Sequence, residues 1–141
     1  CEWENFVIDP TTWRVLLPAL PKLGIKYDPS HSIEHTRDYK EYLPEMAEFG
    51  DRFYHFHVKG SLFINGEHYD DPPAGMDGIN WGAAFDILYT KNYDGAVCYE
   101  PHSKYWVGAK GRWAIDFSLN YIKPFFMPED YKGDMASPYS L

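Results

Sequence analysis

The chain has no apolar run approaching the roughly 18 residues that a membrane-crossing helix needs, and no stretch reads as a signal peptide. Cysteine is almost absent: Cys1 and Cys98 are the only two. That scarcity excludes a disulfide framework and suits a reducing, cytoplasmic compartment. Cys98, inside an apolar run, is expected to be a small buried hydrophobe. Positive charge is also scarce, with 13 Lys and Arg against 21 Asp and Glu, a net charge of −8. Such a chain carries no electrostatic footprint for nucleic acid. Nor does a Gly-rich phosphate-binding fingerprint follow any strand-like run, which disfavours a dinucleotide fold.

Aromatic residues, by contrast, are plentiful at 18 %, including five Trp and twelve Tyr. Most such rings fill cores, and some wall sugar pockets. The 141 residues make one domain of ordinary size, able to bury a core. The chain opens on Cys1 directly inside a strand-like run, Cys1-Glu2-Trp3-Glu4-Asn5-Phe6-Val7, which raises the expectation that more protein precedes it.

Strand-like and helix-like segments alternate. Strands are expected over residues 1–7, 23–28, 52–59 and 96–100, and helices over 12–20, 36–49, 81–90 and 111–125. Asp9-Pro10-Thr11-Thr12 supplies an N-cap for the first helix, Asn80 one for the third, and Gly50 a stop for the second. Residues 60–80, centred on Asp71-Pro72-Pro73-Ala74-Gly75, read as one long functional loop, and residues 127–141 as a polar tail beyond a domain of 1–126. Four βα units in a row imply a parallel sheet covered by helices. Side-chain parity favours a barrel. Glu2 and Glu4 share a face opposite Trp3 and Asn5; Lys26 and Asp28 face away from Ile25 and Tyr27; His55 and His57 face away from Tyr54, Phe56 and Val58.

Three strand-like runs end on a metal-ligand side chain: Asp28 before Pro29-Ser30-His31, His57 before Val58-Lys59, and Glu100 before Pro101-His102. Each has a plainer explanation. Asp-Pro opens turns, a strand-end His is commonly structural, and a Glu before Pro can simply be solvated. Their joint occurrence on consecutive strands favours a divalent-cation site, and oxygen donors with one imidazole suit Mn²⁺ or Mg²⁺, with Zn²⁺ or Co²⁺ also accommodated.

These residues carry a family resemblance. Glu4-Asn5, Tyr27-Asp28-Pro29-Ser30-His31, Gly50-Asp51-Arg52 leading to His55-Phe56-His57-Val58-Lys59, the Asp71–Gly75 loop, Ile79-Asn80-Trp81, and Tyr93-Asp94-Gly95 leading to Glu100-Pro101-His102 resemble the sugar phosphate isomerase/epimerase family of xylose isomerase-like (β/α)8 TIM barrels. The likeness runs to about Phe126 and aligns with the C-terminal half of the barrel, strands five to eight. It implies metal ligands Glu4, Asp28, His57 and Glu100, with Glu2 an alternative to Glu4. It implies Glu4 and Glu100 as the acid/base pair that moves a proton next to a sugar carbonyl through an enediolate. His31, Lys59, Trp81 and His102 would contact a small sugar substrate, with Trp106 a further candidate wall. His55 is expected to be an inner-face residue bonded to its neighbours, and His35 and His68 loop residues. One departure stands out: where many relatives carry Asp after the lysine, this chain has Gly60.

The alternatives are an inosose-type dehydratase on the same scaffold, an endonuclease-IV-like repair enzyme, which the −8 charge opposes, and an inactive assembly module. A half-barrel with two raw sheet edges is expected to pair with a second copy or with the missing N-terminal half.

Overall fold

A computed structural model describes residues 9–128. The expected first strand, with Glu2 and Glu4, lies outside the described residues.

Helix α1 spans Pro10–Ala19. Asp9 caps it: one carboxylate oxygen accepts from the Thr12 N–H at 2.8 Å and from the Thr12 hydroxyl at 3.0 Å. Pro10 occupies the first helical position, where a missing N–H costs nothing. Strand β1 (Ile25–Tyr27) follows. The expected loop from Asp28 to Glu34 is instead helix α2, Pro29–Thr36, closed by Arg37 in the left-handed region at φ 58°. Asp28 is its cap and Pro29 its first residue, the same device as Asp9-Pro10. The expected 36–49 helix is therefore shorter: α3 runs Tyr42–Phe49. Pro44 falls in its first turn, where backbone N–H groups have no helical acceptor. Strand β2 spans Phe53–Val58.

Residues 60–80 are not one loop. They hold an antiparallel hairpin, β3 (Leu62–Ile64) and β4 (Glu67–Asp70). Asn65 and Gly66 turn it, both at positive φ (53° and 79°), as a two-residue type I′ turn requires. Helix α4 (Trp81–Thr90) starts at Asn80, whose side-chain oxygen accepts from the Ala83 N–H at 3.0 Å. Strand β5 (Ala96–Tyr99) and helix α5 (Gly108–Ile122), with a 3-10 turn over Lys123–Phe125, complete the described chain.

Strands β1, β2 and β5 form a parallel sheet in which neighbours in the chain are neighbours in space. One face is packed by helices. Trp13 of α1 meets Tyr27 edge-on at 6.1 Å and Phe49 at 5.3 Å; Tyr27 stacks on Phe53 at 4.4 Å; Phe56 meets Phe85 of α4 at 6.4 Å. Each such buried side chain contributes about 1.5–3 kcal/mol of transfer free energy. Lys26, His55, Ala96 and Cys98 lie on the other face, from half-buried to exposed.

Two expectations about the sheet are corrected. Ile25 pairs with Phe53 but Lys26 with His55, so Tyr54 is an extra, bulged residue. It is 57 % exposed rather than sharing the buried face of Phe56 and Val58. Cys98 is exposed rather than buried, because its parity sets it opposite Val97 and Tyr99, away from the helices.

Candidate metal and substrate site

Asp28, His57 and Glu100 stand just beyond or near the C-terminal ends of β1, β2 and β5. They are brought together by backbone pairing. His57 pairs with Cys98 across β2 and β5, and the Glu100 N–H donates to the Val58 carbonyl at 3.1 Å, extending the ladder one step past β5. One donor atom from each of the three residues lies within 4.8 Å of the others. Glu4 lies outside the described residues.

Asp28 divides its work. Oδ1 accepts from the Ser30 N–H at 2.9 Å, capping α2. Among the described residues Oδ2 is buried without a hydrogen-bond partner, its near neighbour His31 Nε2 standing off at 3.7 Å. Burial raises the Asp28 carboxyl above its usual range, against the lowering pull of Ser30, Lys59 and His57. A buried carboxylate oxygen with nothing to bind is costly, and a cation held jointly with His57 and Glu100 is the partner it fits. Oδ1 is spent on starting α2, so Oδ2 is the atom that the expected ligand role would use.

Glu100 is gripped by two imidazoles. His57 Nδ1 lies against Oε2, and His102 Nε2 lies 3.1 Å from Oε1. Burial pushes its carboxyl up, but those two histidines outweigh it and hold Glu100 below the ordinary value. The His31 imidazole is driven down to about 4 by burial and by the Lys59 ammonium, so it is neutral near neutrality.

Beside this triad is a cavity of about 590 Å³ whose lining includes His31, Lys59, His102, Glu34 and Asp71. Three of the four residues expected to contact substrate, His31, Lys59 and His102, thus line this cavity. Trp81 is not: it is wholly buried, part of the core, and its indole N–H donates to Asp77 at 3.1 Å. Its position at the start of α4 turns it inward rather than toward the cavity. Trp106 stacks on Trp113 of α5 at 5.8 Å and does not line the cavity.

Glu34, His68 and Asp71 were missed by sequence reasoning. They form a second group of ligand-type atoms within 4.8 Å of one another. Lys59, 4 % exposed at its side chain, sits among them, 2.7 Å from Glu34 Oε1 and 3.8 Å from Asp71 Oδ2. Burial disfavours its charge, yet Glu34 and then Asp71 and Asp28 hold its pKa above normal. His68 Nε2 lies 2.8 Å from Asp71 Oδ1. Sequence placed His35 and His68 in loops, but His35 is in the last turn of α2 and His68 on β4. Recognising the Asn65-Gly66 turn between two strand-like triplets would have put His68 and Asp71 on a hairpin folded back over Lys59. Gly60 has a structural reason as well: a Cβ there would stand 1.9 Å from the Pro72 carbonyl oxygen. The absence of an Asp after Lys59 lets the Asp71–Gly75 segment close down, and Asp71 arrives at the lysine from that segment instead.

A parallel sheet whose strands lie side by side, with helices on one face and titratable residues gathered at the strands' C-terminal ends, is the arrangement of βα-barrel proteins. The family profile of the xylose isomerase-like TIM barrel matches residues 4–122, and the chain belongs to that family, which includes sugar isomerases and epimerases. No curated protein matches the chain significantly. Among the described residues no helix is long and apolar enough to cross a membrane.

Proposed function

We propose that the chain carries the metal site of a sugar or sugar phosphate isomerase or epimerase, its sheet corresponding to strands six to eight of the barrel and residues 1–7 to strand five. The observation that carries this is the convergence of Asp28, His57 and Glu100 around the unpartnered buried Asp28 Oδ2. Two carboxylates and an imidazole, joined by Glu4, would hold Mn²⁺ or Mg²⁺, with Zn²⁺ and Co²⁺ also suited to the donor set. When bound, such an ion supplies electrophilic polarisation of a substrate carbonyl.

The chain's own groups account for the rest. Glu100, kept ionised by His57 and His102, is the base that removes a proton from the carbon next to the carbonyl, leaving an enediolate. Glu4, the other member of the acid/base pair that the family resemblance implies, returns the proton. His31, neutral near neutrality, offers one donor and one acceptor to sugar hydroxyls. The paired Lys59 ammonium and Glu34 carboxylate give the cavity wall a fixed donor beside a fixed acceptor, a match for vicinal hydroxyls.

The test is proton exchange. Purified chain, loaded with Mn²⁺ and incubated in deuterated water with a panel of keto-sugars, their phosphates and a keto-cyclitol, is followed by NMR. Deuterium appears at the carbon beside the carbonyl with the intact chain and disappears with Glu100→Gln. Loss of water without exchange into recovered substrate points instead to the dehydratase, and the absence of either reaction across the panel contradicts the proposal.

A further inference from the structure

A third group of ligand-type side chains lies below the rim, on the sheet face turned away from the helices. Parallel pairing of β2 with β5 sets Cys98 directly beside His57, and His55, two residues earlier on β2, projects from the same face. The His55 and His57 rings are 4.9 Å apart at 71°, and a donor atom from each of His55, His57 and Cys98 lies within 4.8 Å of the others. Strand register sets the three residues side by side on one face. Cys98 is free and exposed, and among the described residues its thiol makes a 3.8 Å contact to the carbonyl of its own neighbour, Tyr99.

We propose that His55, His57 and Cys98 form a second cation site, selective for a thiophilic divalent ion of the Zn²⁺ class. One sulfur and two imidazoles make a soft to borderline set, unlike the oxygen-dominated set of Asp28, Glu100 and His57. Such sets select Zn²⁺ and Co²⁺ over Mg²⁺ and Mn²⁺. Three protein ligands leave a tetrahedral ion one position for water. Binding forms the metal–sulfur bond and releases the thiol proton to solvent. The two sites meet at His57. Its Nδ1 faces Glu100, so Nε2 is the nitrogen not committed to the rim. The hard and soft donor sets therefore share the His57 imidazole.

Cobalt separates the two, because only a thiolate ligand gives a sulfur-to-cobalt charge-transfer band in the near ultraviolet. Co²⁺ is titrated into the reduced chain and into Cys98→Ser, His55→Gln, Cys1→Ser and the double variant Asp28→Asn/Glu100→Gln, each checked for an unchanged circular dichroism spectrum. The intact chain develops the band at one equivalent of bound thiolate-ligated Co²⁺, and one equivalent of Zn²⁺ quenches it where excess Mg²⁺ does not. The band is lost in Cys98→Ser, weakened or shifted in His55→Gln, and retained in Cys1→Ser. Retention in Asp28→Asn/Glu100→Gln separates this site from the rim, so either can fail without the other. Absence of the band from the intact chain, its survival in Cys98→Ser, or its loss in Cys1→Ser overturns the proposal.

Discussion

Two neighbouring groups at the top of the sheet meet the same distance criterion for a cation, and they differ in charge balance. Asp28, His57 and Glu100 leave a buried oxygen without a partner. Glu34, His68 and Asp71 enclose a buried ammonium, Lys59, within 2.7 Å of one carboxylate and 3.8 Å of the other. The second group already contains its cation. A metal there would have to displace Lys59 or sit beside it, at a Coulomb cost that burial magnifies. Donor geometry therefore nominates both groups and electrostatics chooses between them. The lysine-filled group fixes charge and hydrogen-bond direction in the cavity wall, and under the proposed function the exogenous ion goes to the triad.

That contrast can be broken by substitution, and the largest effect falls on the triad. Removing a direct ligand in Asp28→Asn weakens Mn²⁺ binding by more than the roughly 10–100-fold that loss of an outer-sphere partner costs, as isothermal titration calorimetry would show. The fold is largely spared, because the asparagine oxygen still caps α2. Lys59→Met acts in the opposite sense. It leaves Glu34 and Asp71 buried without a counter-ion, destabilises the chain by about 3–5 kcal/mol in urea unfolding, and creates weak divalent binding where none existed. In the Asp28→Asn background, where the triad is disabled, a metal that stabilises the Lys59→Met chain but not the chain with Lys59 intact would show that the lysine had occupied a latent cation site.

Gly60→Asp, which restores the residue many relatives carry, sharpens the comparison further. Its Cβ meets the Pro72 carbonyl oxygen, so the Asp71 segment must lift away from Lys59, at a cost of about 3 kcal/mol in thermal or urea unfolding. An unchanged stability would show that the added carboxylate replaces Asp71 as the lysine's partner. The smallest effect concerns Asp77, which anchors the same segment by accepting from the Gly75 N–H and the Trp81 indole. Burial raises its pKa from 3.8 to about 6. The folded state then holds a proton that the unfolded chain has lost, so this residue's contribution to stability falls as pH rises from 3.8 to about 6. The melting temperature of Asp77→Asn should gain on the parent across that interval and run parallel to it above.

Much of this was legible in the chain. The alternation of segments, the Asn80 cap, the parallel sheet and the gathering of Asp28, His57 and Glu100 at the strand ends followed from periodicity and turn chemistry. The failures were local and have physical causes. Asp28-Pro29 was read as a turn opener when, like Asp9-Pro10, it starts a helix, and the two alternatives share their first residues. Cys98 was read as buried by residue type, although alternation across β5 had already put it opposite Val97 and Tyr99. Trp81 could not be placed by sequence, because the first residue of a helix can face either way and its partner, Asp77, lies in an irregular segment. The Lys59 cluster was invisible for a different reason: Glu34, Lys59 and Asp71 are far apart in the chain, and only the fold of the Asn65-Gly66 hairpin brings them together.

The most direct measurement is manganese binding by electron paramagnetic resonance, comparing the intact chain with Asp28→Asn and Glu34→Gln. The charge-balance account predicts one bound Mn²⁺ in the intact chain, its loss in Asp28→Asn and its retention in Glu34→Gln. Binding that survives Asp28→Asn, or that vanishes with Glu34→Gln while the chain stays folded, would contradict the account and move the ion to the group that Lys59 fills.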